Sequence, residues 1–216
     1  PDISFVWTGD SRLDGLLRGK AFYAPYPFTP LVPTTGITAF DHLALFAPAT
    51  AKKNLLAQLW AVAKAQIGTR VPDLHTNVDV PEWIPVRAKR MGWLPRDELL
   101  AQLGGAHAAL AVSYAETNHY GALEALSLGT PTLLSDAIPW ARMDAANVFH
   151  LAPSDIDGVV DRLCLWSALQ PQAYQDLRAY AERFAHRVAT DLTYAAARAL
   201  TRAGVMAEPQ AVRVGG

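Results

Sequence analysis

Ala108-Ala109-Leu110-Ala111-Val112-Ser113-Tyr114-Ala115-Glu116-Thr117-Asn118-His119-Tyr120-Gly121-Ala122-Leu123-Glu124-Ala125-Leu126-Ser127-Leu128-Gly129-Thr130-Pro131-Thr132-Leu133-Leu134-Ser135 is the stretch on which the reading of the fold turns. Residues 108–112 are a short continuous apolar run, the pattern of a strand buried on both faces. The spacing predicts a helix over Asn118–Leu128, closed by Gly129, and a second strand over Pro131–Ser135. Two buried strands joined by one helix form a parallel unit, because parallel strands need such a crossover.

The same alternation extends on both sides. His42–Ala47 reads as an apolar strand ended by Pro48, and Thr50 as the cap of a helix through Lys64, with Leu55, Leu56, Leu59, Trp60 and Val62 on its apolar side. Asp73–Asn77 and Ala88–Trp93 read as weaker strands, and Pro95–Leu103 as a helix closed by Gly104-Gly105. Val148–Leu151 is the last strand, and Ser154 or Asp155 caps a helix through Leu169. Two further helices, Pro171–His186 and Ala189–Ala203, precede a tail from Gly204. The expected fold is α/β, a parallel sheet with helices on both faces. In such open sheets ligands bind outside the carboxyl ends of the strands, where the strand order reverses. The loops after Ala47, Trp93, Val112 and Ser135 are therefore the places to search.

The front of the chain differs. Ile3–Trp7 reads as a short strand, and Pro25, Pro27, Pro30 and Pro33 place four prolines within nine residues. Such a run makes neither a helix nor a central strand, so residues 23–33 read as an extended, packed linker. The chain opens Pro1-Asp2 without a methionine, which we read as the interior of a longer protein. The expected organisation is a remnant of a preceding domain and linker over 1–36, the α/β domain over 37–203 and a tail over 204–216.

Composition excludes several classes. Of 216 residues 51% are hydrophobic, enough to fill a core, and a formal charge of −1 leaves no basic excess for nucleic acid. No apolar stretch reaches the ~18 residues of a membrane span. The single cysteine, Cys164, forms no intrachain disulfide and favours a reducing compartment. The expected location is cytoplasmic, free or at the inner face of the membrane. Gly-x-Gly-x-x-Gly, Gly-Lys-Ser/Thr and Gly-x-Ser-x-Gly are all missing. The six histidines form no His-x-x-x-His pair, so no metal site is expected. Asp155-Ile156-Asp157 has the spacing of a metal-binding pair, but its place at a helix start favours capping.

The chemistry concentrates on Glu116 and Glu124. Glu116 lies in the loop after a buried strand, and Glu124 eight positions later within the helix. Eight helical residues rise ~12 Å, which is the order of the distance from hexose to ribose in a nucleoside-diphosphate sugar. The helix amino end between them offers backbone N–H groups and the positive end of the dipole to a diphosphate.

This segment resembles the Glu-x7-Glu motif of retaining GT-B glycosyltransferases of family 4, the group 1 glycosyl transferases. Ser113, Glu116, Glu124, Ala125, Gly129, Pro131 and the strand to Ser135-Asp136 fall in register with it. The resemblance covers about 36–203, that family's carboxyl-terminal, Rossmann-like donor domain. It implies a catalytic role for Glu116, on the donor sugar hydroxyls, and for Lys53, on the diphosphate, with Lys52 as neighbour. Glu124 would bind the ribose. Trp93 and Leu94, after Gly92, would lie along the base, and His119, Tyr120, Gly121, Ala122 and Leu123 would line the phosphate end. It further implies hexosyl transfer with retention, no cofactor beyond the nucleoside-diphosphate sugar, an acceptor that is a glycan, lipid or protein, and a missing amino-terminal domain without which the chain is inactive.

Two positions depart from the family. Phe46-Ala47-Pro48-Ala49 holds no Arg where the family has Gly-Arg, a loss of a charge-assisted contact worth ~1.5–3 kcal/mol. His119 stands where the family often has Gly. These departures support an alternative, a non-catalytic nucleotide-sugar-binding or assembly module. Plainer roles are also open: packing for Trp93, a neutral loop position for His119, a core position for Cys164 and a solvated face for Arg178, Arg183, Arg187, Arg198 and Arg202.

Overall fold

The computed structural model describes residues 6–8, 21–23, 27–32, 40–116, 118–143 and 148–202. The chain divides into two compact units, residues 30–187 and residues 1–29 with 188–216. In the second of these, β1 (Val6–Thr8) pairs in parallel with β2 (Ala21–Tyr23). The expected strand over 3–7 is thus seen from Val6 onward, and its first residues lie outside the described ones.

The larger unit is built on a six-stranded, all-parallel sheet in the order β5-β4-β3-β6-β7-β8. Its strands are β3 (His42–Leu45), β4 (Asp73–Thr76), β5 (Ala88–Arg90), β6 (Ala106–Ala111), β7 (Thr132–Ser135) and β8 (His150–Leu151). The central strands β3 and β7 are buried at every position, whereas the edge strand β5 is exposed throughout. The helices are α1 (Leu55–Gln66), α2 (Arg96–Gly105), α3 (Tyr120–Ser127), α4 (Ile156–Ser167) and α5 (Pro171–Arg202). Helix α1 packs on α4, and α2 packs on α3. The connections through α1 and through α2 run in opposite directions along the sheet, so right-handed crossovers place them on opposite faces. Between sheet, α2 and α3 lies a core of Ala44, Leu103, Ala106, Ala109, Ala125 and Leu128. Leu31, from the proline-rich run, packs on it, and its N–H donates to Ser127 Oγ at 3.2 Å.

The chain fills β3, β4 and β5 in one direction and then returns to place β6 against β3. The strand order therefore reverses between β3 and β6, and the crevice outside their carboxyl ends is the switch point of the sheet.

Four local expectations are corrected. The helix expected from Thr50 is broken: a 3-10 turn over Ala51–Lys53 ends at Asn54 in the left-handed region (φ 54°), and α1 starts after it. Thr50 makes no side-chain cap there. The inward face of α1 is carried by Leu59, Ala61, Val62, Ala63 and Ala65, while Leu56 and Trp60 are exposed. The two last helices are one, α5, since no Gly or Pro interrupts residues 172–202. Gly104 and Gly105 lie inside α2 and do not follow it.

Candidate functional site

Lys53 ends the 3-10 turn after β3, and Glu116 sits in the loop after β6. Both belong to the switch point, and both side chains are buried. The Lys53 ammonium donates to Glu116 Oε1. Two backbone anchors hold them together. The Tyr114 N–H donates to Lys52 O at 2.8 Å. Buried Gln58 donates to Lys53 O at 2.7 Å and accepts from the Val112 N–H at 3.0 Å. The side chain of Gln58 thus bridges the chain after β3 to the end of β6. Asn54 reinforces the turn, its Nδ2 donating to Pro153 O at 2.7 Å. A short amide side chain tolerates the left-handed region better than most, which accounts for Asn at this corner.

His119 adopts the other non-glycine left-handed conformation (φ 46°) and caps α3. Its Nδ1 accepts from the Ala122 N–H at 3.3 Å. Burial, reinforced by the neighbouring Lys53 charge, pushes its pKa down to about 4. A neutral ring whose Nδ1 accepts carries its proton on Nε2, so His119 retains one donor. Its backbone takes up the conformation that glycine adopts freely.

In the middle of α3, Glu124 is buried and meets Arg96 Nη2 at 2.8 Å. Each glutamate is thus matched by one cation, Glu116 by Lys53 and Glu124 by Arg96. Between them, Tyr120 and His119 are half-buried and Gly121 is exposed. A Cβ built on Gly121 meets nothing within 4 Å. Ala122 and Leu123 turn their side chains into the core, so they face the helix end with backbone only. Lys52 is exposed, Leu94 half-buried, and Trp93 is 78% exposed, which excludes a core role for that tryptophan. Beside the turn, a groove of about 630 Å³ opens between α1, Val78-Asp79 and Tyr114.

Three buried polar atoms stand beside these groups without a partner among the described residues: Ser113 Oγ and both side-chain atoms of Asn118. Buried polar atoms are nearly always satisfied by protein, water or ligand. The Asn118 carbonyl is taken, by Trp140 Nε1. Among the described residues no cluster of His, Cys, Asp or Glu side chains could hold a metal ion. Asp155 caps α4 by accepting from the Gly158 N–H at 2.8 Å, and Asp157 pairs with Lys64 at 2.6 Å.

Sequence reasoning missed Arg96, Gln58 and Asn54. Arg96 carried a usable signal, because a cation in the first turn of a helix opposes the dipole. Nothing in the sequence paired Gln58 with Val112, 54 positions away.

No protein-family model matches the sequence, and no curated protein matches it. Solved structures match it by fold. Anabaena HepE, solved with UDP and glucose, superposes with a TM-score of 0.71 at 13% identity, over 94% of this chain and 64% of its own. TarM from S. aureus, solved with UDP, gives 0.72 at 11% identity over 89% of this chain and 43% of its own. The catalytic domain of cholesterol-alpha-glucosyltransferase from Helicobacter pylori gives 0.54 at 16% identity, over 72% of this chain and 99% of that domain. The chain has the fold of a GT-B glycosyltransferase-like domain. It spans less than half the length of TarM. Among the described residues no helix of this GT-B domain is long and apolar enough to cross a membrane.

Proposed function

We propose that this GT-B domain is the donor-binding half of a glycosyltransferase that moves a hexosyl group from a nucleoside-diphosphate sugar with retention and without a metal. The observation that carries the reading is the pairing of two buried carboxylates with two cations across the amino end of α3. A diphosphate lying between two uncompensated carboxylates would be repelled. Here each carboxylate has its own counter-charge, so the helix end stays hospitable to an anion.

The proposed roles are those that the resemblance implies. Glu116 accepts from donor sugar hydroxyls, and Lys53, held beside it, faces the negative charge that develops on the leaving diphosphate. That is electrostatic stabilisation by a group already in place. His119 Nε2 and the first-turn amide of Gly121 add donors at the same end, which Tyr120 lines. Buried Asn118 and Ser113 have hydrogen-bonding capacity open to ligand or water. Glu124 accepts from the ribose hydroxyls, and Trp93 and Leu94 lie along the base. Lys52 adds positive charge nearby. The acceptor and the groups that hold it belong to a second domain, and residues 1–216 alone do not turn over.

A second reading, a non-catalytic nucleotide-sugar-binding or assembly module, has its own support. No Arg follows β3, and Lys53, the buried cation of the site, is already engaged by Glu116. Calorimetric titration with UDP, GDP and ADP, repeated on Lys53→Ala and Glu124→Ala, tests the proposal. We expect one nucleotide to bind and both substitutions to weaken it by ~1–3 kcal/mol. No binding by the folded chain sinks the donor-site reading for this domain.

A further inference from the structure

Arg96 is the first residue of α2 and follows directly on the Gly92–Pro95 loop. Its side chain is 63% exposed, whereas that of Glu124 is 11% exposed. A cation at a helix amino end works against the dipole, and a buried carboxylate without a partner is costly. The 2.8 Å contact between Arg96 and Glu124 answers both. The pair is held by two packed helices and not by a mobile loop, the kind of support that fixes a side chain within fractions of an ångström.

The chemistry of the contact leaves the carboxylate usable. A carboxylate accepts about four hydrogen bonds, and the guanidinium meets it through one oxygen, Oε1. The ion pair on that one oxygen restrains the rotation of the carboxylate and leaves Oε2 for other donors. We propose that Arg96 is a positioning and specificity residue for the nucleoside end of the donor. It orients the Glu124 carboxylate toward the vicinal hydroxyls of a ribose and thereby selects ribonucleoside diphosphates over deoxy forms. The inference rests on the donor-site reading, and it adds a residue outside the glutamate motif together with the ligand feature that this residue reads.

The experiment is a cycle between protein and ligand. The unsubstituted chain, Arg96→Ala and Arg96→Lys are titrated with UDP, GDP and ADP and with the 2′,3′-dideoxy forms of the same three. Thermal melts of each variant confirm the fold, which the exposure of Arg96 favours. For the nucleotide that binds best, Arg96→Ala is expected to weaken the ribo form about tenfold, the size of one charge-assisted hydrogen bond. The dideoxy form should change less than about twofold, having no hydroxyls for Glu124 to hold. Arg96→Lys should fall between, since it keeps the charge and loses the fork. A merely structural role would weaken both ligand forms alike. Equal loss for both forms, no loss, or tighter binding by Arg96→Ala overturns the inference while leaving the donor site standing. Failure of the unsubstituted chain to bind any of the three overturns both.

Discussion

The Lys53 ammonium lies on the Glu116 carboxylate, with the two side chains 10% and 6% exposed. They come from loops after different strands, and the sheet brings those loops together only because β6 returns to lie beside β3. A buried pair is weak evidence of stability in itself, but removing one partner strands a charge and costs about 3–5 kcal/mol. We expect Lys53→Met and Glu116→Leu each to show that loss in denaturant unfolding. The double substitution should recover most of it. Losses that simply add would show that the two groups are not coupled.

Gln58 is the hinge pin of this arrangement. Its amide links Lys53 O to the Val112 N–H, and it is 2% exposed. Gln58→Leu keeps the volume and leaves two buried backbone groups without partners. We expect a loss of roughly 2–6 kcal/mol in unfolding free energy, from ~1–3 for each of the two groups left unsatisfied. Nucleotide affinity should also fall although Gln58 is not assigned any ligand contact. An unfolding midpoint equal to that of the parent chain would count against the bridge.

The fold was legible because hydrophobic runs and breakers are local. The apolar stretch before Glu116, Gly129 (φ 76°) and Pro131 fix strand, helix and strand without any tertiary information. The spacing of Glu116 and Glu124, and for Lys53 the resemblance, singled out three residues that the fold buries near the switch point. What failed was conformational or long-range. Asn54 broke the expected helix by adopting a left-handed φ that propensity does not announce. Trp60 was assigned to the inward face of α1, but Leu59, Ala61, Val62, Ala63 and Ala65 carry that face and the ring is exposed. Arg178, read as a solvated residue, lies 3.8 Å over the Phe40 ring and donates to the carbonyls of Gly104, Ala106 and Leu128. Such a role depends on where other elements end, which no window of sequence reports.

Arg178 therefore gives a test of its own. Its guanidinium satisfies carbonyls at the end of α2, the start of β6 and the end of α3. Arg178→Met keeps the aliphatic packing and removes the donors. We expect a cost of about 2–3 kcal/mol, read as a lower melting temperature. Arg178→Lys should not restore it, because one ammonium cannot span three carbonyls. Full rescue by lysine would mean that charge alone matters there.

Acid should unfold the domain earlier than its carboxylates alone require. Burial pushes His107 and His119 down to about 4, and it lowers His75 as well. In the unfolded chain these rings titrate near the ordinary value of about 6.5. Between those limits the unfolded state binds more protons, so stability rises with pH from about 4 to about 6.5 and levels off above. The slope is up to roughly 1.4 kcal/mol per pH unit for each fully participating ring. His107 stacks on Tyr174 with centroids 4.5 Å apart and lies at the amino end of β6, whereas Glu116 and Lys53 follow the carboxyl ends of β6 and β3. His107→Gln should therefore flatten the pH dependence of unfolding while leaving nucleotide affinity at pH 7 unchanged. Chemical denaturation at a series of pH values reads the slope directly, and an unaltered slope in this variant would remove His107 from the account.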